Sequence, residues 1–78
     1  MTLTLKAKEI QEQYGLGRDL SIELIRKLPH ASVGRSLMVR RSDVETFLER
    51  AIQDGADLWD LMREHDASSL QLWMKRAA

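Results

Sequence analysis

The stretch LPHASVGRSLMVRRSDVETFL, residues 28–48, carries the signals that decide the fold. Pro29 disfavours helical backbone at the residue before it, so a preceding helix should end there. Ala31–Val33 and Leu37–Arg41 have the length and composition of short strands, and Gly34–Ser36 between them can turn. The pattern predicts a small basic β-hairpin between two helices.

Alternation of side chains sets the orientation of this hairpin. In the second strand Leu37 and Val39 should face the core, while Met38 and Arg40 face outward, because successive residues of a strand point to opposite sides. Val33 is the expected cross-strand partner on the inner face.

The residues after the hairpin form an S-x-x-E capping box from Ser42 to Glu45, a motif that starts helices by bonding backbone amides at both of its ends. We therefore expect a third helix to begin at Ser42, and Gly55 is placed to end it. Apolar residues recur along it at helical spacing: Val44, Phe47, Leu48 and Ile52.

Two helices are predicted before the hairpin. Ile10 and Tyr14 are one turn apart, which indicates a short amphipathic helix over about Lys6–Gln13. A second helix should run from Arg18 to Lys27 or Leu28, with apolar residues one turn apart at Leu20, Leu24 and Leu28. The turn between them contains two glycines, which is typical of a helix-turn-helix.

Residues 56–78 form a tail in which further helices are predicted. Asp57 should cap one helix, and a last helix should begin near Ser68 or Ser69. Their apolar residues are Leu58, Leu61 and Met62, with His65 on the same face, and then Leu70, Trp73 and Met74. Trp59, Met62 and Trp73 either complete a small core or bind a second copy or another protein, because aromatic residues and Met are favoured at interfaces.

Composition sets the class of protein. The chain has 78 residues, of which 44% are hydrophobic and 31% are charged, as in one small globular domain. It has no cysteine and no apolar run of membrane-spanning length, so we expect a cytoplasmic protein without membrane contact. No nucleophile, metal-ligand or phosphate-loop motif is present, and we therefore expect a non-enzyme with no cofactor and no small-molecule substrate.

The charge distribution is asymmetric although the net charge is zero. Residues 1–41 contain eight Lys or Arg against four Asp or Glu, whereas residues 42–78 contain four against eight. A basic front and an acidic back could orient the molecule on a polyanion. The alternative is that these charges only solvate the helix surfaces.

Several of these motifs together resemble the excisionase-type winged helix-turn-helix DNA-binding family, which is related to the DNA-binding domains of mercury-resistance-type regulators. The resemblance covers roughly residues 5–50. It is carried by Ala7–Ile10 with Tyr14–Leu16, Leu24–Pro29, Val33–Arg35 and Val39–Leu48. It implies a mostly α fold with a small β-hairpin, a winged helix-turn-helix DNA-binding domain in residues 1–55. The helical tail in residues 56–78 lies outside the resemblance, and we expect it to pack on the core or to bind a partner.

A second helix that enters the major groove would contact DNA with its first turns, and flanking cations would bind phosphates. Arg18 is placed for base contact unless it pairs with Asp19 or Glu12. The candidate DNA-binding residues are Arg18, Ser21, Ile22, Arg26, Lys27, His30, Arg35, Ser36, Arg40 and Arg41. Arg26 and Lys27 could instead cap the helix, and Arg41 could pair with Asp43 or Glu45.

The resemblance implies double-stranded DNA as the partner and a role as a recombination directionality factor, with an integrase or further copies of the chain as possible partners. A small transcriptional regulator would use the same binding unit. Two other hypotheses remain open at this point, a small-terminase-like DNA-recognition subunit of a phage and a protein-interaction adaptor that has the fold without DNA binding.

Overall fold

The computed structural model describes residues 3–76, which form five α-helices and three short β-strands. In chain order these are β1 (Thr4–Lys6), α1 (Ala7–Tyr14), α2 (Arg18–Lys27), β2 (His30–Val33), β3 (Ser36–Arg40), α3 (Arg41–Asp54), α4 (Leu58–Glu64) and α5 (Ala67–Lys75). The predicted mostly helical fold with a small β-hairpin is confirmed. The first two residues of the predicted N-terminal domain and the last two of the predicted tail lie outside the described residues. No helix within residues 3–76 is long and apolar enough to cross a membrane.

A third strand, which the sequence pattern did not indicate, extends the hairpin into a sheet. β1 pairs antiparallel with β3, so the strand order is β1-β3-β2. Leu5 of β1 lies opposite Val39 of β3, and both side chains are buried. Three residues are too few to show an alternating pattern, and it is the distant partner strand that makes this segment extended.

The prediction that Ser42 caps the third helix is wrong. Helix α3 begins at Arg41, directly after β3, and Arg40 occupies the N-cap position with extended backbone (φ −75°, ψ 137°). The backbone N–H of Arg41 donates to the carbonyl oxygen of Leu3 at 2.8 Å. Sheet pairing therefore satisfies one of the amides that the start of a helix leaves without a partner, and no Ser cap is needed there.

The hairpin register corrects the expected position of Val33. Val33 pairs with Ser36, next to the turn, and its side chain is 45% exposed. Because residues directly opposite each other share a face, Val33 lies on the side of Ser36 rather than with Val39. Val39 is buried and Leu37 is half-buried, as predicted.

Helices α1 and α2 meet at the predicted glycine turn. Gly15 ends α1 in the left-handed conformation (φ 70°), and its N–H donates to the carbonyl of Gln11. Helix α2 ends at Lys27, two residues before Pro29, as the sequence predicts.

The apolar face of α3 differs at one position from the prediction. Val44, Phe47 and Ala51 are buried and Leu48 is half-buried, but Ile52 is 79% exposed. At 3.6 residues per turn Ile52 lies about 140° around the helix from Phe47. Its side chain therefore points away from the core, although its spacing from Leu48 is one turn. Gly55 ends the helix with φ 62°, as predicted.

The tail packs on the rest of the chain. The Asp57 side chain accepts from the amides of Trp59 and Asp60 and so caps α4, as predicted. Asp66, rather than Ser68 or Ser69, caps α5 through the amide of Ser69. Helix α4 packs on α2, and α5 packs on α2 and α3. The buried apolar core therefore draws on every helix and on β1 and β3: Leu5, Ile10, Leu20, Leu24, Ile25, Leu28, Val39, Val44, Phe47, Ala51, Leu61, Met62 and Leu70.

Candidate nucleic-acid interface

Helix α2 exposes one side and buries the other. Arg18, its first residue, is exposed, and it forms no ion pair with Asp19, Glu12 or any other residue between 3 and 76. Arg26, two turns further on, is also exposed and lies 3.9 Å from Glu23, a long and weak ion pair. Two arginines are thus available on the outer side of this helix.

Ser21 cannot contact DNA as predicted. Its side chain is completely buried, and its hydroxyl donates to the carbonyl oxygen of Gly17 at 2.9 Å. The spacing of Ser21 from Leu24 and Ile25 places it on the same buried face of α2, and this hydrogen bond satisfies the buried hydroxyl. Ile22 is half-buried and lies nearer the surface.

The hairpin ends in a two-residue turn, Gly34-Arg35. Gly34 has φ 60°, and a glycine with positive φ in the first loop position is the pattern of a type II′ hairpin turn. Arg35 occupies the second loop position, and its side chain has no ion pair within the described residues. Ser36 belongs to β3 and not to the turn, which corrects the predicted turn by one residue.

An open groove of about 480 Å³ joins the hairpin to α2 and to the junction of β1 with α1. Its lining comprises Lys6, Ala7, Lys8, Ile22, Ile25, Arg26, Arg35, Ser36 and Leu37. Three predicted site residues, Arg26, Arg35 and Ser36, therefore lie around one feature with Ile22. The prediction missed Lys6 and Lys8. Nothing in the sequence around these two lysines indicates a site. They lie beside the hairpin only because β1 pairs with β3.

Two of the candidate DNA-binding residues have partners inside the protein. The Lys27 ammonium group donates to the carbonyl oxygen of His65 at 2.7 Å and so ties the end of α2 to the turn between α4 and α5. The Nδ1 of His30 lies 2.8 Å from the carbonyl oxygen of Leu28, and since that oxygen can only accept, Nδ1 is the donor. His30 is otherwise exposed at the base of the hairpin.

The two arginines at the junction of β3 and α3 also have local partners. Arg40 Nε donates to Asp43 Oδ2 at 2.9 Å. Arg41 Nη1 lies 3.3 Å from the hydroxyl oxygen of Tyr14, and that hydroxyl donates to Glu45 Oε2 at 3.3 Å. Asp43 is therefore the partner of Arg40, and the Arg41 side chain helps to connect α1 with α3. Neither Arg40 nor Arg41 lines the groove between α2 and the hairpin.

The three predicted partner-binding residues of the tail have different environments. Met62 is 5% exposed and lies in the core, so it is not part of a surface. The Trp73 ring meets Phe47 edge to face at 5.9 Å between centroids, and the guanidinium carbon of Arg50 lies 5.7 Å from the Trp73 centroid. Trp59 is 42% exposed. Of the three, Trp59 presents the most surface to a partner.

Protein-family models, curated proteins and solved structures were compared with this chain, and none of them matches it. The resemblance to the excisionase-type family therefore stays a prediction that rests on the motifs themselves.

Proposed function

We propose that this chain binds double-stranded DNA, with α2 in the major groove and the β2–β3 hairpin as a wing at the minor groove. The observation that carries the proposal is that α2 and the hairpin both line one groove. Arg26 lies on the wall formed by α2, Arg35 lies at the tip of the hairpin, and the exposed Arg18 begins the helix. Arginines placed in this way can bind base edges and phosphates together.

The dimensions of the two elements support this mode of binding. The major groove of B-DNA is about 12 Å wide and admits an α-helix, whereas the minor groove is about 6 Å wide. Helix α2 has ten residues, which corresponds to a length of about 15 Å. The hairpin narrows to a two-residue turn, and an Arg at such a tip can enter a narrow A·T-rich minor groove.

The family resemblance supports two roles for such a protein, a recombination directionality factor and a small transcriptional regulator. Both roles use the same DNA-binding unit and differ in where the sites lie. An adjacent integrase gene in the genome would favour the first role, and the integrase would then be the protein partner.

A protein-interaction adaptor is the alternative function. Asp19 is exposed near the start of α2, and Glu23 is half-buried one turn later. Carboxylates on a helix that faces DNA repel phosphates, so these two residues favour the adaptor.

Binding of the full chain to fluorescent duplexes of random sequence, measured by anisotropy over a range of salt concentrations, tests the proposal. Each phosphate neutralised contributes about −0.9 to the slope of log K against log salt. We expect Arg18→Ala and Arg35→Ala to weaken binding and to make this slope shallower. The matched control is Arg63→Ala, which removes the same charge from α4, where Arg63 pairs with Asp60. If the folded protein binds no duplex at low salt, the DNA-binding proposal is wrong and the adaptor is favoured.

A further inference from the structure

The groove between α2 and the hairpin has cations on each of the three parts of its wall. Arg26 comes from α2, Arg35 from the hairpin, and Lys6 and Lys8 from the junction of β1 with α1. Among residues 3–76, no Asp or Glu lines it. A cleft lined by one sign of charge concentrates its field and attracts an ion of the opposite sign.

These cations have little compensation from within the protein. Lys6, Lys8 and Arg35 form no ion pair with any residue in the range 3–76, and Arg26 has only the 3.9 Å contact with Glu23. The nearest acidic neighbour along α1 is Glu9, whose Oε1 accepts from the backbone N–H of Lys6 at 3.0 Å. Glu9 thus bonds the start of α1 and does not line the groove.

The apolar part of the groove lining narrows the class of anion. Ala7, Ile22, Ile25 and Leu37 line the groove together with the cations. A deoxyribose-phosphate chain alternates anionic phosphates with sugar rings that have apolar faces, so it matches both parts of this lining. In B-DNA one strand separates each major groove from the adjacent minor groove. A helix in the first and a hairpin in the second must therefore have that strand between them.

We propose that this groove holds a single phosphodiester strand of the duplex, and that Lys6 and Lys8 are phosphate-binding residues. The inference rests on the proposed DNA-binding function and adds a third contacting segment, the β1–α1 junction, to α2 and the hairpin. Lys6 and Lys8 contact phosphates and no base edge, so they contribute to affinity equally for all sequences.

The test compares Lys6→Ala/Lys8→Ala with Arg63→Ala/Lys75→Ala, which removes two exposed positive charges from α4 and α5. Circular dichroism first establishes that both variants are folded. We expect the groove variant to weaken binding by the same factor on every duplex and to reduce the salt slope by about 1.8, at about 0.9 for each phosphate contact. The tail variant should keep the slope of the unmodified chain.

A second measurement locates the contact on the DNA. Methylphosphonate groups remove the charge of chosen phosphates in one strand. The positions at which they weaken DNA binding by the unmodified chain more than binding by the groove variant are the phosphates that Lys6 and Lys8 contact. The groove variant should keep a smaller loss there, because Arg26 and Arg35 still line the groove. If the unmodified chain binds duplex while the groove variant keeps its full salt slope, the inference about the groove is overturned and the DNA-binding proposal stands. If the unmodified chain binds no duplex, the DNA-binding proposal itself fails, and the inference fails with it.

Discussion

Replacement of Leu70 by Ala is expected to destabilise the whole chain. Leu70 lies in α5 and is completely buried in the common core. The substitution removes three carbon atoms, a transfer loss of about 2.4 kcal/mol at about 0.8 kcal/mol for each buried methylene. The cavity left behind raises the loss in free energy of unfolding to about 3–4 kcal/mol. Because a domain of this size has only roughly 3–5 kcal/mol of stability, the variant should be close to unfolding at 25 °C.

The same helix provides the control. Leu72, two residues further along α5, is 60% exposed. Leu72→Ala makes the identical chemical change and should cost less than about 1 kcal/mol, because most of the side chain is already in water.

Urea denaturation of both variants is followed by far-UV circular dichroism and by tryptophan fluorescence. With a slope of about 1 kcal/mol per molar urea, the midpoint should fall by about 3–4 M for Leu70→Ala and by less than about 1 M for Leu72→Ala. Both tryptophans, Trp59 and Trp73, belong to the tail, so fluorescence reports on the tail while dichroism reports on all helices. Equal midpoints for the two variants, or a fluorescence transition well before the dichroism transition, would refute a single core shared by the tail.

Three further substitutions test individual contacts by the same urea measurement. Lys27→Met should lower the free energy of unfolding by about 1–2 kcal/mol, because it removes the 2.7 Å hydrogen bond from Lys27 Nζ to the carbonyl oxygen of His65. Arg26→Met, one residue earlier and exposed, should change stability by less than about 0.5 kcal/mol, and an equal effect of the two would argue against that bond. Gly34→Ala should lower the free energy of unfolding by about 1–2 kcal/mol, because φ is 60° there and an added methyl group meets no nearby atom that could change this cost. An unchanged free energy of unfolding would mean that the turn has another conformation. Gly17→Ser should stabilise the chain by a few tenths of a kcal/mol or more, since Gly17 is the N-cap of α2, has extended backbone and has open space for a capping hydroxyl. A loss of stability would contradict that cap geometry.

Features that depend on neighbouring residues were predictable from the sequence. The helical spacing of Leu20 and Leu24 indicated the buried side of α2, and the glycine turn at residues 15–17, Gly55 and Pro29 marked where helices end. These signals are local, because a glycine can adopt at its own position the positive φ that ends a helix, and a proline disfavours helical backbone at the residue directly before it.

Features that depend on a distant partner were not predictable. The S-x-x-E motif predicts an N-cap at Ser42, yet the N-cap of α3 is Arg40, two residues earlier, and the N–H of Arg41 bonds to the carbonyl oxygen of Leu3. Ser42 therefore has no capping role. In the same way, Val33 changes face because the register pairs it with Ser36.

The candidate site shows the same division. The sequence by itself determined that a basic hairpin follows a helix with Arg18 at its start, because composition and turn chemistry are properties of short segments. Only the tertiary structure decided which cations share a groove. In the folded chain Ser21 is buried, and Lys27 donates a hydrogen bond to the carbonyl oxygen of His65. The pairing of β1 with β3 places Lys6 and Lys8 beside the hairpin. Residues that are about thirty positions apart in sequence meet there because strand pairing and core burial, rather than local spacing, fix their positions.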